Sequence, residues 1–209
     1  MTDLSTCLHS NKAYIKRIAR RARIRLRLML NDQARIVVGA GDTSYPGWIP
    51  TDRDVLNLSD SEDWAICIGG RRLDAILAEH VWEHLDVLSA QLAAGNCFRY
   101  LKRGGYLRVA VPDGNHPSNE YIARVRPGGV GPGCDDHKVL YTHDRLSEVF
   151  RSVGFRTKLL EYFDDQGSFH FADWDPSDGP VIRSRRFDER NVGGGLSYTS
   201  IILDAIRHE

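Results

Sequence analysis

At 209 residues, 42% hydrophobic and 27% charged, the chain is long enough for one α/β domain with a full core and too short for two sizeable ones. Its formal net charge of zero gives no overall electrostatic steer, but residues 1–30 hold eight Lys or Arg against a single acid, Asp3, and the remainder carries the opposite excess. No apolar run approaches the ~20 residues of a membrane span, and the N-terminus lacks the apolar region of a signal peptide.

Cys7, Cys67, Cys97 and Cys134 are scattered without a Cys-x-x-Cys pair, which suggests neither a zinc site nor a disulfide framework. Reduced thiols and a cytoplasmic location are the expectation.

Residues 11–30 read as a basic helix, with Ile15, Ile18, Ala19, Ala22, Leu26, Met29 and Leu30 on one side at helical spacing. The run Ile24 to Leu28 alternates like a strand, so the last third is ambiguous. Two uses fit this arm, residues 1–31. It attracts an anionic surface, whether a membrane leaflet, nucleic acid or a phosphorylated substrate, or it caps the ligand-binding edge of the domain with a solvated basic face. No specific nucleic acid is expected.

Arg35 to Val38 reads as a buried strand running into Gly39-Ala40-Gly41, a turn where no side chain blocks the main chain. In an open α/β sheet such a turn, at the carboxyl end of a strand, is where nucleotide-like ligands lie. A second short apolar run, Trp48 to Pro50, ends at Asp52, whose carboxylate can accept from both hydroxyls of a ribose. The dinucleotide fingerprint is incomplete: Ser44 stands at its third glycine, Asp52 comes too early, and Tyr45-Pro46-Gly47 makes a turn where a helix should begin. A nicotinamide cofactor is disfavoured, and another adenosine-containing cofactor fits.

Trp64 to Ile68 reads as a third strand closed by Gly69-Gly70, although residues 53–63 are short for a crossover helix. Ala75 to Ala78 is a further strand ending at Glu79-His80. A helix follows from His84 to Tyr100, interrupted at Gly95-Asn96 and stopped by Lys102-Arg103-Gly104-Gly105. Tyr106 to Val111 is then a buried strand ending at Pro112-Asp113. Strand, helix, strand is the pattern of a parallel sheet.

Residues 113–138 form a long loop with a short helix from Pro117 to Val125, and loops of that length in compact domains are usually lids or binding segments. Thr142 caps a helix to Val153, and Phe155 to Phe163 and Ser197 to Ile206 are the last two strands. Between these strands, residues 164–195 interleave Phe169, Phe171 and Trp174 with Asp173, Asp175 and Asp178, followed by Arg183, Arg185, Arg186 and Arg190. Aromatic faces and carboxylates suit a carbohydrate. The other reading is a surface hairpin with its aromatics packed on the sheet and its charges paired.

Six pieces stand in one order: Val38-Gly39-Ala40-Gly41, Pro46-Gly47-Trp48-Ile49 leading to Asp52, His80-Val81-Trp82-Glu83-His84-Leu85, Val109-Ala110-Val111-Pro112-Asp113, Asp136-His137-Lys138, and Val153-Gly154-Phe155. In these the chain resembles the class I S-adenosylmethionine-dependent methyltransferases, and more closely small bacterial members of the methyltransferase-11 type. The resemblance covers about residues 34–207. It implies a single Rossmann-like domain (residues 32–209), with a mostly parallel seven-stranded sheet, an antiparallel last strand between its neighbours, and flanking helices. It also implies S-adenosylmethionine as cofactor, with Gly39, Ala40 and Gly41 along its amino-acid and ribose part and Asp52 on the ribose hydroxyls. Arg53, Glu79 and His80 complete the expected cofactor contacts, and the segment after Asp52 would supply the adenine pocket.

Methyl transfer from a sulfonium is an in-line displacement that an enzyme promotes mainly by positioning. An oxygen nucleophile gains from a base. Strand ends and the long loop offer His80, Asp113, His116 and His137, of which His80, Asp113 and His137 are the catalytic expectation. The expected acceptor is a small-molecule or carbohydrate hydroxyl held under residues 113–138, with no metal. The competing expectations are a non-catalytic binding or scaffold protein of the same fold, anchored by its basic arm, and an NAD-dependent oxidoreductase.

Overall fold

The computed structural model describes residues 4–208, with side chains from Lys12 onward. Helix α1 (Leu4–Leu30) runs unbroken through the alternating segment, so the helical reading holds there. Its packing face is not the expected one. Ile15, Ile18, Ala19, Ala22, Leu26, Met29 and Leu30 are exposed, and Arg21, Ile24 and Leu28 are buried instead. Arg21 decides the orientation: its guanidinium pairs with the buried Asp63, and Nε donates to the Val55 carbonyl at 2.9 Å. Such partners let a cation enter a core that would otherwise reject it.

The strands are β1 (Arg35–Val38), β2 (Ile49–Thr51), β3 (Leu73–Glu79), β4 (Leu101–Pro112), β5 (Phe155–Phe163), β6 (Phe169–Phe171) and β7 (Ser200–Arg207). They form one sheet in the order β2-β1-β3-β4-β7-β5-β6. The first four in that order are parallel, β7 runs antiparallel between β4 and β5, and β6 folds back antiparallel on β5. The expected α/β sheet with an antiparallel last strand is therefore present.

Three local expectations need correction. Trp64 to Ile68 is not a strand: Trp64 to Cys67 end helix α2 (Ser61–Cys67) and Ile68 follows it, and Asp60 caps the helix by accepting from the amides of Glu62 and Asp63 at 2.9 and 3.4 Å. Trp64 and Cys67, three residues apart, then bury on one face. The strand that brings the count to seven is β6, at the other edge.

Helix α3 (Val87–Tyr100) passes through Gly95-Asn96 without a break, since Asn96 Nδ2 finds the Leu58 carbonyl at 2.9 Å and Ala90, Ala93, Ala94 and Cys97 are buried beside it. That burial outweighs the roughly 1 kcal/mol a mid-helix glycine costs. Lys102 to Gly105 is not a helix stop but the start of β4, where pairing with β3 shifts register and Lys102 Nζ meets Asp74 Oδ1 at 2.6 Å.

Helices α4 (Asn119–Val125) and α5 (His143–Arg151) complete the regular elements. One face of the sheet, including Ile36, Val38, Ile76, Leu107 and Val109, shares its core with residues of α1, α2, α3 and α5. On the other face Val37, Ala75, Leu77, Ala110 and Ile202 are covered by Trp48 and by Trp174 and Val181 of the 164–195 insert. A parallel sheet must be covered on both faces, and here the insert covers the second. Arg108 of β4 fastens it: the guanidinium forms a bidentate pair with Asp204 of β7 at 2.7 and 2.8 Å and donates to the Gly179 carbonyl at 2.9 Å.

Candidate functional site

A cavity of about 850 Å³ opens at the carboxyl ends of β1 and β3. Its walls come from four places: the turn Gly39 to Thr43 with Tyr45, the end of β3 at Glu79, His80 and His84, the far end of the long loop at Pro132, Gly133 and His137, and insert residues from Ile182 to Arg190. Residues between 37 and 190 thus meet around one space.

The glycine turn is forced. Gly39 has φ +61°, and a Cβ there would lie 2.6 Å from Cγ2 of Val81. Gly41 has φ +53°, and its amide donates to Asp52 Oδ1 at 2.9 Å. The chain then reaches β2 through a turn in which Trp48 N donates to the Tyr45 carbonyl at 3.1 Å, with no helix between the strands. Asp52 is beside the cavity without lining it, and Arg53 is exposed outside its wall. Glu79 does line it, but its oxygens accept the insert amides of Ile182 and Arg183 at 3.1 and 2.7 Å.

His80 has φ +55°, the left-handed region that a non-glycine residue seldom adopts. Its ring borders the cavity, with Nε2 3.1 Å from Ser200 Oγ and Nδ1 3.1 Å from Glu83 Oε1. His137 also borders it, with Nδ1 donating to the Val125 carbonyl at 2.7 Å. Asp113 lies elsewhere. It is fully buried at the end of β4, and its oxygens accept the amides of Asn115 and Phe163 at 2.9 and 2.7 Å. Burial pushes its carboxyl up to about 6, against the pull of those two amides. His116 lines a separate cavity of about 490 Å³, stacks on Tyr121, and is held below its usual pKa by burial.

Sequence reasoning missed the insert's share of the main cavity, Arg183, Phe187, Asp188 and Arg190. The basic run was the available signal. The insert's aromatic faces are already engaged by cations: Arg185 lies over Phe171 at 4.0 Å, and Trp174 has Arg108 and Arg186 at 5.1 and 5.0 Å. Trp174 also packs against the sheet, while Phe171 stays exposed.

This chain is similar over its length to an S-adenosylmethionine-dependent methyltransferase of Thermotoga maritima, covering 97% of this chain and 95% of that one at 11% identity, with a TM-score of 0.50. The fold is that of the class I methyltransferases. A methyltransferase of Archaeoglobus fulgidus described as S-adenosylmethionine-dependent aligns at 16% identity over 97% of this chain and 98% of its own, with a TM-score of 0.43. An O-methyltransferase family protein of Burkholderia thailandensis aligns at 11% identity over 84% of this chain and 51% of its own, with a TM-score of 0.48. No protein-family model matches the sequence, and no curated protein matches it. In this methyltransferase fold the antiparallel β7 stands where the resemblance implies. Among the described residues no helix is long and apolar enough to cross a membrane.

Proposed function

We propose that the protein transfers the methyl group of S-adenosylmethionine to a hydroxyl of a small molecule or sugar. The observation that carries this is the cavity at the carboxyl ends of β1 and β3, floored by a glycine turn that leaves main chain open to a ligand. Gly39, Ala40 and Gly41 take the amino-acid and ribose part of the cofactor, and Asp52 the ribose hydroxyls, with Arg53 and Glu79 at the edge of that site. A volume of about 850 Å³ suits a cofactor and a compact acceptor. Arg183, Asp188 and Arg190 on its wall favour a polar acceptor.

The acceptor oxygen attacks the sulfonium methyl carbon, the carbon–sulfur bond breaks with its electron pair going to sulfur, and the hydroxyl proton leaves to a base. His80 is the base in this reading, with Glu83 Oε1 3.1 Å from its Nδ1; Asp113 positions the loop that starts beside it, and His137 holds that loop's far end against the cavity. Calorimetric titration tests the cofactor: S-adenosylmethionine and S-adenosylhomocysteine should bind and NAD should not. Absence of binding by the folded protein would favour the scaffold reading. His80→Asn, which tolerates positive φ, should lower turnover and leave cofactor affinity intact.

A further inference from the structure

At the cavity wall, Glu83, His84 and His137 bring one carboxylate and two imidazoles together, with a ligand atom of each lying within 4.8 Å of the others. Glu83 is 1% exposed, and neither of its carboxylate oxygens has a hydrogen-bond partner. His80 Nδ1 comes to 3.1 Å from Oε1 without the geometry of a bond. A buried acceptor-only group in that state calls for a positive centre.

The imidazoles are arranged for one. His137 gives its Nδ1 proton to the Val125 carbonyl, which fixes the tautomer and leaves Nε2 as a lone-pair donor. His84 packs edge-on against His137 at 4.8 Å between ring centroids, and its own Nδ1 is buried without a bond, 3.5 Å from Asp136 Oδ2. Lys138, the residue after His137, is already held by Asp136 at 3.2 Å.

We infer that Glu83, His84 and His137 form a binding site for a divalent first-row transition-metal ion. Two nitrogens and one carboxylate are the donor set that zinc, iron(II) and manganese(II) accept, at bonds of about 2.0–2.2 Å for zinc, and one that magnesium and calcium take poorly. His84 and His137 both line the cavity, so an ion held by them would border the space assigned above to the acceptor. Resting on that reading, the ion would bind the acceptor hydroxyl and favour its ionisation, and the proton would pass to His80. Glu83 would serve both partners, one oxygen toward His80 and the other toward the metal.

The test is direct metal binding by the full chain stripped of metal. Zinc calorimetry should give one site per chain, cobalt(II) should give the visible absorption of a nitrogen-ligated ion, and magnesium should not compete. His84→Ala, at a partly exposed position, and Glu83→Gln, close to isosteric, should each weaken zinc binding at least about 10-fold while keeping the wild-type melting profile without metal. Absence of a zinc site, or a site that survives both substitutions, would overturn the inference. S-adenosylmethionine titration of the same samples separates the two readings: cofactor binding without metal sinks only the metal site. Metal binding without cofactor upholds the site and sinks the methyltransferase reading.

Discussion

One carboxylate oxygen of Asp52 accepts the Gly41 amide at 2.9 Å, which ties the glycine turn after β1 to the residue that follows β2. The second oxygen is 3.9 Å from Arg20 of α1, so the turn, the second strand and the basic helix meet at this side chain. A hydrogen bond to a charged group contributes about 1.5–3 kcal/mol. Asp52→Ala should therefore weaken S-adenosylmethionine binding about 10–100-fold by calorimetry. Asp52→Asn can still take the Gly41 amide and should lose less. Wild-type affinity in the alanine variant would remove Asp52 from the cofactor site.

The attachment of α1 rests on Arg21 and Asp63, both buried, with Asp63 Oδ2 also accepting the Asn57 amide at 2.9 Å. Removing Asp63 strands the Arg21 charge in the core, at about 3–5 kcal/mol, whereas Asp63 would keep Arg17 at 3.1 Å if Arg21 were lost. Urea denaturation of Asp63→Ala should show a loss of that size. Arg20→Ala, whose partner Asp54 is exposed, should lose less than about 1 kcal/mol. Equal effects would mean that α1 is not held through the buried pair.

Glu79 is the peg for the insert over the cavity, through the amides of Ile182 and Arg183. Glu79→Ala should speed hydrogen exchange at those two amides about 10–100-fold, since each loses a bond to a charged group worth about 1.5–3 kcal/mol. Amides in β3 should keep their protection. Unchanged exchange at Ile182 and Arg183 would place the insert's anchorage elsewhere, with Arg108 the next candidate.

Asp113 makes a pH prediction with a definite sign. Its folded carboxyl titrates at about 6 against an ordinary value of 3.8, so between these values the folded state binds more protons than the unfolded one. Its contribution to stability is fully present below the ordinary value, falls as pH rises through that window and is gone above it. The range is at most about 3 kcal/mol. Asp113→Asn should flatten this part of the stability profile in denaturant titrations from pH 4 to 7. A profile as steep as wild type would assign the slope to another group.

Much of this protein was legible in its sequence because local patterns dictate local structure. Ile36 to Val38 running into two glycines determined a strand and an open turn, Thr142 determined the start of α5, and Phe155 to Phe163 a long strand. Those signals depend on backbone conformation and hydrophobic period, which neighbours in sequence settle among themselves. Tertiary structure alone decided the rest. Arg21 overrode the apolar stripe of α1 because its partner is Asp63. Asp60, by contrast, caps α2 from the adjacent position, a local signal that the apolar run after it obscured. Tertiary structure also turned the insert into the cover of one sheet face, and it set Glu83, His84 and His137 against one another across the chain. Burial and partnership of a charge are properties of what the fold brings near it, and spacing along the chain does not contain them.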